Sequence, residues 1–255
     1  MGVSIVIPTY KRVDLLERLL KSIEQQVYKH YEVIIIDDNS PNSQEYNNLI
    51  QKYSHKINNL TYIRNSENKG APYSRNQGIL KSKYELIALV DDDDEWLSTK
   101  LQEQVKLFNN CDPEVGIVYT WTNAINEKGE LVHEYRSTIH GKAIRQMLKD
   151  CFIPSPSVMV RKDAILKSRL FDESFPSCQD WDMWTRILNN GYSCEVVKSV
   201  QTIYHKHTRV SIGSSKSARD GYKKYYKKHL KSYVKYFLKT LELKEIKKAL
   251  MYIIR

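Results

Sequence analysis

The chain has 255 residues, 41% of them hydrophobic, which is enough for one sizeable domain with a buried core. No apolar run approaches the roughly 18–20 residues that cross a bilayer, which argues against a membrane-spanning helix. The start, MGVSIVIPTYKR, lacks the basic lead and apolar stretch of a signal peptide, so we expect a cytoplasmic location.

Charge is distributed unevenly along the chain. The formal net charge is +10, and residues 216–255 hold thirteen Lys and Arg against three Asp and Glu, so this segment carries the whole excess. Residues 1–215 are neutral overall, as expected for a balanced globular body. The four cysteines are widely spaced without a CxxC pair, and we expect them to be reduced structural residues.

The first half of the chain alternates strand and helix patterns. Short apolar runs predict strands at residues 3–7, 31–37, 60–63 and 84–90. Helical periodicity or polar helical composition predicts helices at 12–28, 43–56 and 71–82. Consecutive apolar residues within a strand indicate that both its faces are covered, as in a parallel sheet. This order predicts an α/β fold with a doubly wound, mostly parallel sheet and helices on both faces.

Polar loops follow three of these predicted strands. They read PTYKR after the first strand, DDNSPN after the second and DDDDEW after the fourth. Ligands of such sheets bind outside the carboxyl ends of the strands, so we expect the three loops to share one edge.

The pattern changes near residue 115. There GIVYTWTNAI, NEKGE and LVHEYR predict a strand, a turn and a second strand, and residues 141–215 mix short helices and strands. Residues 216–255 predict a long basic helix with aromatic residues recurring every three or four positions.

Four adjacent carboxylates at the end of a buried strand repel one another unless a positive group offsets them. A solvated turn or a helix N-cap explains one of the four, because residues 97–109 look helical and Asp favours N-caps. The whole cluster favours a hard divalent cation, Mg²⁺ or Mn²⁺, held beside a diphosphate.

Six motifs, in this order and spacing, resemble the family 2 glycosyltransferases of the GT-A fold. They are SIVIPTYKR, VIIIDDNS, NKGAPYSRNQG, ALVDDDDEW, FDESF and QDWDMWTRI, and they span roughly residues 3–210. The resemblance implies a GT-A domain over 1–215, with a nucleotide-binding half at 1–110 and an acceptor half at 111–215. Residues 216–255 form the basic helical tail.

The resemblance implies where a nucleotide-sugar donor binds. The implied nucleotide-binding residues are Pro8, Thr9, Tyr10, Arg12, Asp38, Asn68, Gly70, Arg75, Asp91, Asp92 and Asp93. Tyr10 would lie against the base, Asp38 would accept a hydrogen bond from a base N–H, and Asp37 would brace the loop. The family usually has a small residue at the position of Asp92, so the register of the acidic motif stays open between neighbouring carboxylates.

Metal binding and catalysis are also implied by the resemblance. Asp93, Asp94 and His207 would bind Mn²⁺ or Mg²⁺, and we expect His205 to have a structural role because two histidines alone specify little. Asp180 would be the general base of an inverting transfer, with an N-cap role as the alternative.

Gln179, Trp181 and Arg186 would line the donor or acceptor pocket. Gln179 departs from the family's common Glu at that position, which puts a charged role there in doubt.

These observations predict transfer of a sugar, most simply from a UDP-linked donor, to a saccharide or lipid-linked acceptor in surface polysaccharide synthesis. A catalytically silent scaffold that binds sugar nucleotides is the alternative. A nucleotidyltransferase would need a glycine-rich triphosphate loop, which PTYKR lacks.

The tail fits an anionic membrane surface, with a helix packed on the body as its alternative. We expect no nucleic acid partner, because no nucleic-acid-binding module accompanies the tail.

Overall fold

The computed structural model describes residues 1–206, 216–238 and 240–254. In these ranges the strands are β1 Val3–Thr9, β2 Tyr31–Asp37, β3 Leu60–Arg64, β4 Leu86–Leu89, β5 Glu95–Trp96, β6 Val115–Ile125, β7 Leu131–Tyr135, β8 Met159–Arg161 and β9 Ser193–His205. The helices are α1 Val13–Glu24, α2 Ser43–Ser54, α3 Ala71–Lys81, α4 Lys100–Asn110, α5 Ile144–Lys149, α6 Lys162–Lys167, α7 Gln179–Asn189, α8 Lys216–Phe237 and α9 Leu243–Ile254. A short 3₁₀ helix covers Ser155–Ser157.

All of these strands belong to one sheet, in the order β3-β2-β1-β4-β8-β6-β9-β5, with β7 paired to β6. Strands β1 to β4 pair in parallel, as their buried and consecutively apolar sequences predict. Strand β8 lies antiparallel between β4 and β6, and β6 pairs in parallel with β9. The predicted strand, turn and strand after residue 115 are confirmed as the antiparallel pair β6 and β7.

Two hydrophobic clusters cover the two faces of the sheet. Helices α1, α2 and α4 pack on one face, where the helical stripe of Leu16, Leu19 and Leu20 is fully buried. Helices α3 and α5 to α9 contribute to the cluster on the other face. This arrangement confirms the doubly wound α/β sheet. The carboxyl ends of β1, β2 and β4 therefore open on a common edge.

The C-terminal tail differs from its prediction. It forms two helices rather than one, and the aromatic stripe of α8 faces the protein: Tyr226, Tyr233 and Phe237 are at most 1% exposed. These side chains belong to the core cluster, so the face predicted to meet a membrane is buried within the domain. Periodicity alone cannot distinguish a core-facing stripe from a membrane-facing one, because both environments select apolar residues.

Within the described ranges, no helix combines the length and the apolar character that a membrane-spanning segment requires. The four cysteines, Cys111, Cys151, Cys178 and Cys194, form no disulfide.

Candidate active site

The three polar loops meet at the carboxyl edge of the sheet. The main-chain N–H of Asp38 donates to the carbonyl of Thr9 at 2.9 Å, which joins the loop after β2 to the end of β1. The Thr9 hydroxyl donates to Asp92 at 2.8 Å and so joins β1 to the turn after β4. Pro8 lies inside β1, immediately before this junction.

Asp37 and Asp38 organise the loop after β2. Asp37 is fully buried and accepts hydrogen bonds from the Ser40 N–H at 2.9 Å and the Tyr62 hydroxyl at 2.7 Å. Asp38 Oδ2 accepts one bond from the Gly70 N–H at 2.7 Å, while its Oδ1 accepts from the Asn65 side chain and the Lys69 N–H. A carboxylate oxygen accepts about two hydrogen bonds, so Oδ2 retains capacity for a donor on a ligand.

Gly70 connects this loop to α3. Its φ of +88° lies in the left-handed region that favours glycine, and it occupies the N-cap position of the helix. The Asn68 side chain donates to the Asp38 carbonyl at 3.2 Å, which fixes the approach to this turn.

Arg75 extends from α3 into the acidic turn after β4. It is 5% exposed, and its Nη2 pairs with Asp91 at 2.5 Å. Among the residues that the structure describes, no hydrogen-bond acceptor lies at the buried Nη1. One arm of the guanidinium therefore holds Asp91, and the other keeps its donor capacity.

The remaining carboxylates of the turn have different environments. Arg12 lies at the start of α1, and its Nη1 pairs with Asp92 at 3.2 Å and with Asp93 at 2.9 Å. Asp94 is 1% exposed, and neither of its carboxylate oxygens has a hydrogen-bond donor within the described part of the chain. Such an orphaned buried carboxylate is costly unless a cation binds it.

Burial and mutual repulsion oppose ionisation of this cluster. Burial raises the pKa of Asp92 to about 7, with the Asp93 charge adding to the effect and Arg12 opposing it. Burial also raises the pKa of Asp94 well above that of an ordinary carboxyl, and the charges of Asp93 and Asp91 act in the same direction. A bound cation would reverse this repulsion and favour the ionised forms.

Asp180 lies in the first turn of α7. Burial raises its pKa, whereas the hydrogen bond from the Trp181 N–H at 2.8 Å and the charge of Arg75 lower it; Asp91 raises it further. Asp180, Arg75 and Asp91 are therefore close enough for their charges to interact. The N-cap residue of α7 is Cys178, so the N-cap alternative for Asp180 is wrong.

Two residues predicted to line a pocket contact other groups of the protein. Trp181 is 6% exposed, and its ring stacks on Tyr225 with 4.0 Å between the ring centroids. Arg186 Nε donates to Asp182 at 2.8 Å, four residues earlier on the same helix. Both side chains make these contacts within the protein, and their place in a donor or acceptor pocket stays a prediction. Gln179 is the first residue of α7 and is partly exposed.

The two histidines have different outcomes. His205 Nε2 lies 3.2 Å from Glu95 Oε2, and its structural role stays a prediction. His207, predicted to bind the metal, lies outside the described residues.

Arg18 is a site residue that the sequence analysis missed. Its Nη2 donates to the main-chain carbonyl of Asp93 at 2.6 Å, and its positive charge lowers the pKa of Asp94. A second arginine six residues after Arg12, within α1, is the signal that could have revealed it.

The family described as Glycosyl transferase family 2 matches residues 4–169, more than half of the chain. An O-antigen biosynthesis glycosyltransferase of Escherichia coli is 32% identical over 189 residues, covering 73% of this chain and 72% of the relative. An uncharacterised glycosyltransferase of Methanocaldococcus jannaschii is 31% identical over 199 residues, covering 77% and 68%. A GalNAc(5)-diNAcBac-PP-undecaprenol beta-1,3-glucosyltransferase of Campylobacter jejuni is 27% identical over 228 residues, covering 87% and 71%.

Solved structures share the fold. Staphylococcus aureus TarS 1-349 in complex with UDP-GlcNAc aligns with a TM-score of 0.71 at 18% identity, covering 90% of this chain and 67% of TarS 1-349. A mannosyltransferase of Pyrobaculum calidifontis in complex with GDP-Man and Mn²⁺ aligns with a TM-score of 0.70 at 17% identity, covering 99% and 74%. The matched motifs, the sheet and these similarities agree. The chain therefore belongs to glycosyl transferase family 2 and is a glycosyltransferase.

Proposed function

We propose that the protein is an inverting, metal-dependent glycosyltransferase that moves a sugar from a UDP-linked donor to a saccharide or lipid-linked acceptor. One observation supports the proposal: the buried Arg75 pairs with Asp91 of the acidic turn and is close enough to Asp180 for their charges to interact. Carboxylates from two distant parts of the chain therefore lie near one cationic group, where a leaving diphosphate and a base would both be needed.

The donor nucleotide would bind along the first two loops. Tyr10 is 38% exposed beside the carboxyl edge, so its ring is accessible for stacking on a base. Asp38 Oδ2 would accept the base N–H, and the main chain at Gly70 allows close approach of the ligand.

A divalent cation fits the donor set of the acidic turn. In the described ranges no three His, Cys, Asp or Glu side chains form a complete metal site. Mg²⁺ and its relatives commonly take only one or two protein carboxylates, with phosphate and water as the other ligands. The orphaned oxygens of Asp94, with Asp93 beside them, would supply those carboxylates. When bound, the cation would neutralise the departing nucleoside diphosphate.

Asp180 would act as the general base. Its carboxylate would take the proton of the acceptor hydroxyl while that oxygen forms a bond to the anomeric carbon. The bond from that carbon to the diphosphate oxygen breaks, the oxygen keeps the electron pair, and the nucleoside diphosphate leaves. Attack on the face opposite the leaving group inverts the anomeric configuration. The Arg12 and Arg75 guanidiniums would bind the diphosphate through their forked donors.

The comparisons support the substrate classes. TarS binds UDP-GlcNAc, and the names of two relatives specify an O-antigen pathway and an undecaprenol-linked acceptor. We extend these classes to this chain and propose a role in surface polysaccharide synthesis at the cytoplasmic side of the membrane.

A donor panel tests this proposal. The purified protein is incubated with UDP-, GDP- and dTDP-sugars and Mn²⁺, and released nucleoside diphosphate is measured with and without EDTA. We expect release from a UDP-sugar that EDTA abolishes. Binding of nucleotide without turnover on any donor would favour the silent scaffold, and full turnover in EDTA would remove the metal from the proposal.

We also propose that α9 contacts an anionic membrane surface. Its outward side exposes Leu250, Met251 and Ile254, at 41%, 51% and 81%. The exposed Lys244 and Lys247 accompany them on the same helix. An apolar strip beside lysines matches the chemistry of an anionic interface, where each lysine contributes about 1 kcal/mol.

Flotation with vesicles tests this second proposal. Phosphatidylglycerol vesicles should bind the protein, phosphatidylcholine vesicles should bind it weakly, and the triple variant L250S/M251S/I254S should lose binding. The control L131S changes a leucine that is also exposed, at 54%, on β7. Equal flotation of all variants, or a stable dimer that buries the strip, would overturn the proposal.

A further inference from the structure

The N-terminal part of helix α8 packs against α7 and the residues just before it. At the start, the Ser177 hydroxyl donates to the Ser217 carbonyl at 3.0 Å. Gly221 makes the close approach feasible, because a Cβ there would lie 2.0 Å from Ser177 Oγ and 2.8 Å from its carbonyl oxygen. One turn further, the Tyr225 ring stacks on Trp181. Helix α7, which carries Asp180, is therefore held in place by packing against α8.

A buried charged cluster joins the same two helices. Asp182, two residues after Asp180, is fully buried and has three cationic or N–H neighbours. His229 Nε2 lies 2.8 Å and Lys228 Nζ 2.9 Å from Asp182 Oδ1, and Arg186 Nε lies 2.8 Å from Oδ2. Although burial opposes ionisation, the hydrogen bonds from His229 and Arg186 lower the pKa of Asp182. The carboxylate therefore stays charged and attached to α8.

Lys228 extends the cluster towards the acidic turn. Its Nζ also lies 2.8 Å from Asp172, in the loop that follows α6. That loop is bonded to α3 through Asn76, whose side chain exchanges hydrogen bonds with the main chain of Phe171 at 2.8 and 2.9 Å. The Arg75 guanidinium lies over the Phe171 ring, 5.6 Å from its centroid. A continuous series of contacts thus connects α8 to both sides of the site.

We propose that Lys228 and His229 are positioning residues, which hold Asp182 and thereby set the position of Asp180 relative to Arg75 and Asp91. This inference rests on the proposed role of Asp180. A displacement of about 1 Å in a reacting group can cost roughly 100-fold in rate, so a small shift of α7 has a large effect on the chemical step. The proposed nucleotide-binding loops follow β1, β2 and β4 and do not belong to α8, so we expect such a shift to lower kcat much more than nucleotide affinity.

Four variants and one control test the proposal. His229→Phe removes the N–H donor and keeps a ring, whereas His229→Gln keeps an N–H at a similar reach. Lys228→Met removes the charge, and Lys228→Arg keeps it. The control Lys227→Met removes a lysine at the neighbouring exposed position of the same helix. For each protein, kcat, donor KM, calorimetric affinity for UDP and the melting temperature are measured.

We expect kcat of the Phe and Met variants to fall about 10- to 100-fold, as a sub-ångström to 1 Å displacement would give. UDP affinity and donor KM should change less than about twofold, a difference of under ~0.5 kcal/mol. The Gln and Arg variants should recover most of kcat, and K227M should match the wild type.

The proposal is overturned if kcat per folded molecule is unchanged in K228M and H229F. It is also overturned if kcat and UDP affinity fall together, because the network would then only support the fold. If H229F does not fold, K228M decides, since that side chain is 31% exposed and tolerates substitution better. Wild-type protein that releases no nucleoside diphosphate would instead contradict the proposed function, so the two failures are distinguishable.

Discussion

Asp180 is the residue on which the proposed chemistry depends. Burial raises its pKa, and Asp91 adds to this effect against the opposing charge of Arg75. A general base acts in its ionised form, so activity falls as the pH decreases through this pKa. A raised pKa moves that loss of activity to higher pH than an unperturbed aspartate, near ~3.9, would give.

We therefore expect the acidic limb of the kcat/KM profile to lie above the ordinary aspartate value. The measurement is a pH–rate profile at saturating metal for the wild type and for Asp180→Glu. The limb should move in the variant because the titrating carboxyl has changed. If the acidic limb of the profile lies at the same pH in D180E, the group that titrates is not Asp180.

Asp94 shows a conflict between stability and function. The pKa of Asp94 is raised in the folded protein. The free energy of unfolding therefore decreases as the pH rises above the pKa of an ordinary aspartate. A neutral Asn at this position should remove that loss of stability at neutral pH. We expect Asp94→Asn to raise the melting temperature of the metal-free protein by about 2–4 °C, equivalent to ~1 kcal/mol in a domain of this size.

The Asp94→Asn variant should also lose the rise in melting temperature that Mn²⁺ causes in the wild type. Ligand at about 100 times its dissociation constant stabilises a protein by ~2.7 kcal/mol, so the wild type should melt at a higher temperature with metal. Thermal melts with and without Mn²⁺ measure this shift, with Asp14→Asn at an exposed position of α1 as the control. An unchanged Mn²⁺ shift in D94N would place the metal elsewhere.

At the scale of elements, α3 lies so close to β1 that only glycine fits at residue 78. A Cβ at Gly78 would lie 2.4 Å from Val6 Cγ1. We expect Gly78→Ala to destabilise the protein by about 1–3 kcal/mol through overpacking. The variant should also displace Arg75, which lies on the same helix three residues earlier.

A double-mutant cycle tests the close contact. Val6→Ala alone should destabilise by creating a cavity, but in the G78A background it should restore part of the stability. Urea denaturation should give a coupling energy above ~0.5 kcal/mol. Additive effects would show that the helix adjusts without using the space at Val6.

Helices and strands of the first half could be predicted because their periodicities are clear and they alternate. The loop cluster followed from topology alone, since parallel strands end at one edge. The partners of individual side chains could not be predicted: that Arg12 faces Asp92 and Asp93, while Asp94 has none of the described donors, depends on three-dimensional packing. The stacking of Trp181 on Tyr225 of α8 could not be predicted either, because helical spacing does not show which helix packs against a side chain.

For the whole molecule, α8 is a structural part of the domain rather than an appendage. Its residues Tyr225, Tyr226, Tyr233 and Phe237 are buried in the cluster that includes Trp181. Each fully buried aromatic side chain contributes roughly 1.5–3 kcal/mol, and most domains have only about 5–15 kcal/mol of net stability.

A chain ending at residue 215 should therefore fail to fold or should melt at a much lower temperature, with exposed hydrophobic surface that binds a reporter dye. A chain ending at residue 242 keeps α8 and should retain a cooperative transition. Circular dichroism melts compare the two. A wild-type melting temperature for the shorter chain would contradict the assignment of α8 to the core.

In the molecule as a whole, we expect carboxylates from separate parts of the chain to act in one reaction. The most direct measurement is acceptor-dependent release of nucleoside diphosphate by Asp180→Asn and wild-type protein, with donor and Mn²⁺ saturating. General-base catalysis contributes about 10²- to 10⁴-fold, so kcat of D180N should fall by that factor while UDP affinity is retained. Wild-type turnover by D180N would contradict the account.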